Sequence, residues 1–243
     1  DLERQGLAAL SAALDSSFSQ ALDLLSEMSG HVVVTGMGKS GHVAGKIAST
    51  LASTGTPALF VHPAEASHGD LGMIRRGDVI LALSNSGETE ELADLVDYAK
   101  RFEIPLIAVT TEAASALASA ATVALTFPAS DEACPMGLAP TTSTTVMMAL
   151  GDALAVAMLE RKGFSPDDFH ALHPGGKELF QPLARKGCCG CRRKTDRVEP
   201  GIERLGADFI ARGGVSIIPV HDRGAPLALV SRGRPAWGRS DRT

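Results

Sequence analysis

Apolar residues in the first half of the chain form two alternating kinds of segment. Continuous apolar runs predict buried strands, and segments with apolar residues three or four positions apart predict helices. The strand-like runs are 32–35, 58–61, 79–83, 105–109 and 122–126. The helical segments are an amphipathic leading helix over 7–28 and helices over 42–53, 89–101 and 113–119. This order predicts an α/β fold, a three-layer αβα sandwich with a five-stranded parallel sheet.

The first predicted strand leads into a glycine turn, GMGKSG, at 36–41. The turn formally matches G-x-G-x-x-G, but a dinucleotide site also needs an acidic residue at the end of the second strand, which reads FVHP instead. A Walker loop would need glycine in place of Val33. Two interpretations of this turn remain. Gly38, Lys39 and Ser40 bind an anion at the start of a helix, or the segment is a tight turn with a solvated lysine.

A second polar turn follows the third strand and precedes a predicted helix. It contains the hydroxyls of Ser84, Ser86 and Thr89, with Asn85 and Gly87 between them. Hydroxyls, a glycine and the free N–H groups of a helix start together predict a phosphate-binding turn without arginine. N-capping by Ser86 explains part of the pattern, but it does not account for three hydroxyls at one junction.

Two further segments carry candidate chemistry. In 130–145, Glu132 lies beside Cys134 and precedes a hydroxyl run, with a helix-capping region and an exposed carboxylate as the alternative interpretation. In HALHPGG at 170–176, His170 and His173 precede a turn, where a lone histidine is usually structural.

No metal site is predicted. His62, Glu65 and His68 match no strong ligand spacing, and CCGC at 188–191 lacks a second ligand pair. The four cysteines are also too few and too close together for a disulfide framework.

Charge divides the chain at residue 184. Residues 1–184 carry 10 basic and 22 acidic side chains, whereas 185–243 carry 13 basic and 6 acidic side chains. The apolar periodicity is lost after the same point, and only 215–220 and 227–230 look strand-like. We therefore predict one domain over 1–184 and an atypical basic tail over 185–243 that is at most loosely ordered.

No membrane segment or signal peptide is predicted, and a cytoplasmic protein is expected. The longest apolar helical segment, 144–160, contains Asp152, which favours a buried packing helix over a membrane span.

Four segments together carry a family resemblance. They are the 42-residue segment 32–73, which contains GMGKSG, and the motifs SNSGETEE (84–91), EACPMGLAPTTSTT (132–145) and GFSPDDFHALHPGG (163–176). In this order they resemble the sugar isomerase (SIS) domain of D-arabinose 5-phosphate isomerases over about residues 1–177. The resemblance implies interconversion of D-ribulose 5-phosphate and D-arabinose 5-phosphate, a precursor of the Kdo sugar of lipopolysaccharide or capsule. It implies a small sugar phosphate as partner, no nucleic acid or membrane, and no metal or organic cofactor.

The resemblance also implies roles for individual residues. Glu132 is expected to be the base at carbon and Lys39 to stabilise the oxyanion. His173 and Glu91 are expected to open the sugar ring or exchange protons at its oxygens. The expected substrate- or phosphate-binding positions are Gly38, Ser40, His68, Ser84, Asn85, Ser86, Gly87, Thr89, Thr142 and Ser143.

The family pattern is lost after HPGG. Members often continue with Leu-Gly-Arg and two CBS domains, whereas KELFQPLARKGCCGCRRK follows here, and no CBS pair is recognisable. Either a shifted reading frame or a natural tail would produce this. The resemblance further implies a homo-oligomer, a dimer or tetramer with sites near subunit interfaces, and makes 144–160 a candidate interface helix.

Two alternatives remain open at this stage. One is another phosphosugar isomerase of the same fold, and the other is a non-catalytic domain that senses sugar phosphates. Two carboxylates, a lysine and a histidine at matching positions argue against a pure sensor, as does the lack of a helix-turn-helix pattern before residue 30.

Overall fold

The computed structural model describes residues 1–174, 219–222 and 225–228. Its main sheet has five parallel strands in the order β2-β1-β3-β4-β5. The strands are β1 (Val32–Gly36), β2 (Ala58–Phe60), β3 (Val79–Leu83), β4 (Leu106–Thr110) and β5 (Val123–Thr126). The predicted strands and their parallel arrangement are confirmed, because continuous apolar runs identify strands that are covered on both faces.

Helices connect the strands. The α-helices are α1 (Leu2–Ala13), α2 (Ser16–Glu27), α3 (Gly38–Ser53), α4 (Pro63–Ala66), α5 (Ala93–Phe102), α6 (Ala116–Ala120), α7 (Thr142–Arg161) and α8 (Pro166–Leu172), and 3-10 helices cover Asp70–Met73 and Glu90–Leu92. The predicted helix over 89–101 is therefore a 3-10 turn followed by α5. The helix predicted over 42–53 begins earlier, at Gly38, and the one predicted over 113–119 is the shorter α6.

The single leading helix predicted over 7–28 is wrong. Leu14 is extended at the end of α1, and the Asp15 carboxylate accepts a hydrogen bond from the Ser17 N–H at 2.8 Å. An aspartate that caps a new helix competes with continuation of the old one, so the apolar stripe runs through two helices.

The sheet separates two apolar cores, which confirms the three-layer arrangement. Side chains alternate along β1, so Val32 and Val34 belong to the core under α1, α2, α3 and α7, while Val33 belongs to the core under α4, α5 and α6.

The long helix α7 is a packing helix within the chain. Twelve of its 20 residues are buried, and Gly151 lies so close to α3 that a Cβ there would be 2.3 Å from Ile47 Cδ1. Among the described residues it is the one helix long and apolar enough to cross a membrane, but 67% of its apolar window is buried in the protein, as in many core helices. Met148 on this helix is nevertheless exposed, and the role of 144–160 as an interface helix stays a prediction.

Part of the predicted tail is described. Pro219–Asp222 (β6) and Ala225–Ala228 (β7) form an antiparallel pair, overlapping both strand-like runs found in the sequence. The division at residue 184, the CBS prediction and the order of the tail otherwise concern positions outside the described residues, and they stay predictions.

Candidate active site

The two predicted binding turns meet at the centre of the sheet. β1 and β3 are neighbours, with Gly36 opposite Leu83, so the segments after Gly36 and Leu83 leave the sheet side by side. From β1 the chain crosses to β2 on one side, and from β3 it continues to β4 on the other. The direction of winding therefore changes between β1 and β3, and this is the position where open α/β sheets bind ligands.

The turn after β1 leaves the start of α3 uncapped. Met37 is the N-cap residue and makes no side-chain hydrogen bond to the helix, while Lys39 is exposed in the first turn. Gly38 has φ +57 with open space around it, and Gly41 is required because a Cβ there would be 2.5 Å from Gly36 O. Uncapped N–H groups and a nearby ammonium group favour an anionic ligand.

Some hydroxyl groups of the turn after β3 form hydrogen bonds to other residues of the same turn. Ser84 is buried, and its Oγ lies 2.7 Å from Thr89 Oγ1 and accepts from the Gly87 N–H at 3.0 Å. The exposed Ser86 accepts from the Glu88 N–H at 3.2 Å, so it closes the turn and does not cap the helix. Thr89 is the N-cap of the 3-10 helix and makes no side-chain cap. The N–H groups at this helix start are therefore also without a side-chain acceptor.

Neighbouring residues fix the backbone of this second turn. The carbonyl of Asn85 accepts from Thr110 Oγ1 at 3.1 Å and from Thr111 Oγ1 at 2.7 Å. Gly87 has φ +69, and a Cβ there would lie 2.0 Å from Ser115 Oγ. The segment after β4 thus presses against the turn, and only glycine fits at position 87.

Glu132 lies in the loop after β5 and is held at the start of α7. Its Oε2 accepts from the Thr141 N–H at 2.7 Å, from Thr141 Oγ1 at 3.0 Å and from the Ser143 N–H at 3.3 Å. Burial acts to raise the pKa of Glu132, but hydrogen bonds from Ser143 and Thr141 outweigh it and lower the pKa overall. The carboxylate is unprotonated at neutral pH. It caps α7, as the alternative interpretation predicted, but the side chain is part-buried and not exposed.

The starts of α3 and α7 are in contact, which brings the glycine turn and Glu132 together. Ser40 Oγ lies 3.8 Å from Met147 Sδ. Met147 is one helical turn after Ser143, whose N–H binds Glu132, and residues four apart share one face of a helix. Lys39 and Glu132 are therefore on adjacent helix starts although they are far apart in sequence.

Of the other predicted site residues, some lie near the same edge of the sheet, and one is buried. Glu91 and His68 are exposed near the same edge of the sheet, Glu91 in the 3-10 helix after β3 and His68 beyond β2. Ser143 contributes its N–H to Glu132. Thr142 is fully buried without a partner for its hydroxyl, and its methyl group faces Gly6 of α1, so a bound sugar would not reach it without rearrangement.

His173 lies apart from the other predicted catalytic residues. The far end of α7 is at the opposite edge of the sheet, where Lys162 Nζ donates to Gly55 O at 3.1 Å and Gly55 packs against Phe164. α7 is about 30 Å long and α8 only about 10 Å, so His173, just after α8, does not reach Glu132 of its own chain. Its ring stacks on Phe169, with Nδ1 2.8 Å from the Phe169 carbonyl.

No group of three or more potential metal ligands is found in the described part of the chain. His62 has a buried Nδ1 without a hydrogen-bond partner, whereas Glu65 and His68 are exposed.

Thr141 is a contributor that the sequence analysis did not identify. Its hydroxyl donates to Glu132 and accepts from the Ala133 N–H at 2.8 Å. The available signal was its position directly before a long apolar helix, where threonine is a common N-cap.

Comparison with known proteins agrees with this architecture. The SIS domain family model matches residues 24–157, and the chain belongs to that family. Among solved structures, a protein of Escherichia coli CFT073 in complex with arabinose 5-phosphate is 41% identical, with a TM-score of 0.66 over 71% of this chain and 94% of that chain.

Two curated relatives share one enzyme name. Arabinose 5-phosphate isomerase KdsD of Pseudomonas aeruginosa is 57% identical over 175 residues, which are 72% of this chain and 54% of the relative. The enzyme of the same name from Yersinia pestis is 53% identical over 175 residues, which are 72% of this chain and 53% of the relative. The chain therefore spans about half the length of the curated relatives it matches.

Proposed function

We propose that the chain is the isomerase domain of an arabinose 5-phosphate isomerase, which interconverts D-ribulose 5-phosphate and D-arabinose 5-phosphate. The similarity to the KdsD enzymes and to the solved complex with arabinose 5-phosphate supports this substrate pair. We further infer a cytoplasmic enzyme that supplies a precursor of Kdo for lipopolysaccharide or capsule.

The reaction moves one proton between two carbons of the open-chain sugar. A base removes a proton from C1 of ribulose 5-phosphate, and an enediolate forms. A proton is then delivered to C2, and the O1 hydroxyl proton is transferred to O2, so that O1 becomes the carbonyl oxygen and O2 a hydroxyl group. The unprotonated Glu132 carboxylate suits the base, and the Lys39 ammonium suits the negative oxygen of the enediolate. Glu91 and His173 are assigned to ring opening and to proton exchange at the oxygens.

The terminal phosphate is assigned to the turn after β3. Ser84, Ser86 and Thr89 supply hydroxyls there, and the uncapped 3-10 helix supplies N–H groups. Hydrogen-bond donors at a helix start bind phosphate without a neighbouring arginine.

One observation supports the proposal more than any other: Ser40 Oγ lies 3.8 Å from Met147 Sδ, so the lysine turn and the helix start that binds Glu132 are neighbours. Isomerisation needs a base and an oxyanion donor on one substrate, and a sensor that only binds sugar phosphate does not need a base.

The assignment of His173 requires a second copy of the chain. Since His173 does not reach Glu132 within one chain, a catalytic His173 would be contributed across a subunit interface. The expected homo-oligomer, a dimer or tetramer, is therefore part of the proposed mechanism.

A complementation experiment tests the shared site. Glu132→Gln and His173→Asn variants should each be inactive, and refolding them together should restore roughly a quarter of wild-type activity, because half of the dimers are mixed and one of their two sites is intact. Mixing Glu132→Gln with Lys39→Ala is the control, and it should stay inactive because both residues come from the same chain. Absence of recovery in the first mixture would mean that His173 does not act across an interface.

The function itself is tested by a coupled assay with ribulose 5-phosphate and with other phosphosugars. Turnover of ribulose 5-phosphate to arabinose 5-phosphate is expected. Faster turnover of a different phosphosugar would favour another isomerase of this fold, and binding without any turnover would favour a sensing domain.

A further inference from the structure

The hydroxyl of Thr141 has an unusual set of partners for a residue at the start of a helix. An N-cap threonine normally accepts a hydrogen bond from an N–H in the first turn of its own helix. Thr141 makes no such bond, and the Glu132 carboxylate accepts from the Ser143 N–H instead. Glu132 has therefore taken the capping role, and the Thr141 hydroxyl is available to bind Glu132.

The direction of the hydrogen bond between Thr141 and Glu132 follows from a second contact. The Ala133 N–H donates to Thr141 Oγ1 at 2.8 Å. A hydroxyl has a single proton, and with its oxygen accepting from Ala133 that proton points to Glu132 Oε2, 3.0 Å away. A donor fixed in this direction favours the unprotonated carboxylate over the carboxylic acid.

Charged groups around Glu132 do not provide the same stabilisation. The neighbouring Asp131 is acidic, and α1 presents Glu3, whose carboxylate accepts from Thr145 Oγ1 at 3.4 Å. α3 contributes Lys39 in its first turn, but no ion pair to Glu132 occurs in the described part of the chain. Hydrogen bonds from the side chain and N–H of Ser143 and from the N–H and hydroxyl of Thr141 hold the charge.

We propose that Thr141 is a positioning residue, whose hydroxyl holds the Glu132 carboxylate unprotonated and in one orientation for proton abstraction. The inference rests on the proposed function, because it assigns Thr141 to the same reaction. It adds a determinant of the pH range in which the base works.

The test compares Thr141→Val, which keeps the shape and loses the hydroxyl, with Thr141→Ser, which keeps the hydroxyl. Thr145→Val is the matched control, since its hydroxyl binds Glu3 and not Glu132. The readout is kcat/KM for ribulose 5-phosphate as a function of pH. Without the donor the pKa of Glu132 rises, so the acid limb of the profile should move to higher pH in Thr141→Val.

At a pH on this limb, Thr141→Val should lose about tenfold in kcat/KM, the size expected for one hydrogen bond to a charged group. Thr141→Ser and Thr145→Val should stay within about twofold of the wild type. A Thr141→Val profile that coincides with the wild type overturns the inference, and so does a Thr141→Ser profile that moves as far as that of Thr141→Val.

A second measurement separates this inference from the proposed function. The Glu132 carboxyl carbon is followed by ¹³C NMR during a pH titration, with Glu132→Gln used to assign the signal. It should titrate at higher pH in Thr141→Val than in the wild type, whether or not the protein isomerises ribulose 5-phosphate. Equal titration midpoints overturn the role of Thr141, and a wild type without turnover overturns only the isomerase. Thr141→Ala replaces Thr141→Val if the valine variant does not fold.

Discussion

The starts of α3 and α7 lie next to each other but satisfy their first N–H groups in opposite ways. At α7 the chain supplies its own anion, because the Glu132 carboxylate accepts from Thr141 and Ser143. At α3 no side chain caps the helix, and Lys39 adds a positive charge. Under the proposed function the difference separates two tasks: one helix start stabilises a charged base, and the other is left open for the negative charge of a substrate or intermediate.

The largest expected effect comes from removing the charge at α7. Glu132→Gln keeps an oxygen that can accept from the helix N–H groups but removes the base, so kcat should fall by about 10²–10⁴-fold with little change in KM. The measurements are isomerisation and solvent-deuterium incorporation at C1 and C2. Asp131→Asn, the same charge change one residue earlier, is the control and should retain activity.

The opposite outcome would be equally informative. A folded Glu132→Gln protein that exchanges these protons at the wild-type rate would remove Glu132 as the base and leave its cap as its only role. The base would then be His173 or Glu91.

The next effect concerns the turns after β1 and β3. Gly87→Ala combines a left-handed backbone with a Cβ 2.0 Å from Ser115 Oγ, and it should lower the free energy of unfolding by about 2–5 kcal/mol. Gly38→Ala is left-handed too but meets open space, so it should cost only about 1–2 kcal/mol. Urea unfolding of both variants measures the difference, and equal losses would show that the packing against Ser115 does not matter.

A smaller effect is expected at the open helix start after β3. The double variant Ser84→Ala, Ser86→Ala should weaken binding by about 1.5–3 kcal/mol, which appears mainly as a higher KM for ribulose 5-phosphate. Ser53→Ala is the control, because that hydroxyl binds Thr50 O at the far end of α3. If the double variant binds ribulose 5-phosphate normally, the phosphate site lies elsewhere.

Sequence patterns predicted the sheet well because its strands are buried on both faces. All five residues of each of β1, β3 and β4 are buried, so each strand is a continuous apolar run. The same patterns failed at Asp15, where periodicity continues across a helix break that one capping carboxylate produces. The spacing of apolar residues indicates which face of a helix is buried, but it does not indicate where one helix ends and the next begins.

The sequence predicted which residues belong to the candidate site better than it predicted how they are arranged. The turns after β1 and β3 could be placed together from the rules for parallel sheets. The capping of α7 by Glu132 depends on contacts across a nine-residue loop, and the distance of His173 depends on the length of α7. Neither is encoded in a local pattern.

The close packing of α3 on α7 has a consequence for substitutions remote from the site. Lys46 and Asp152 pair on the surface of these helices, but exposed ion pairs contribute little, so the spacing depends mainly on Ile47 against Gly151. Gly151 lies about 13 Å along α7 from its first residue, Thr142. A larger residue at 151 would separate the two helices and with them Lys39 from Glu132. Under the proposed mechanism, activity would then be lost although every group assigned to the substrate is intact.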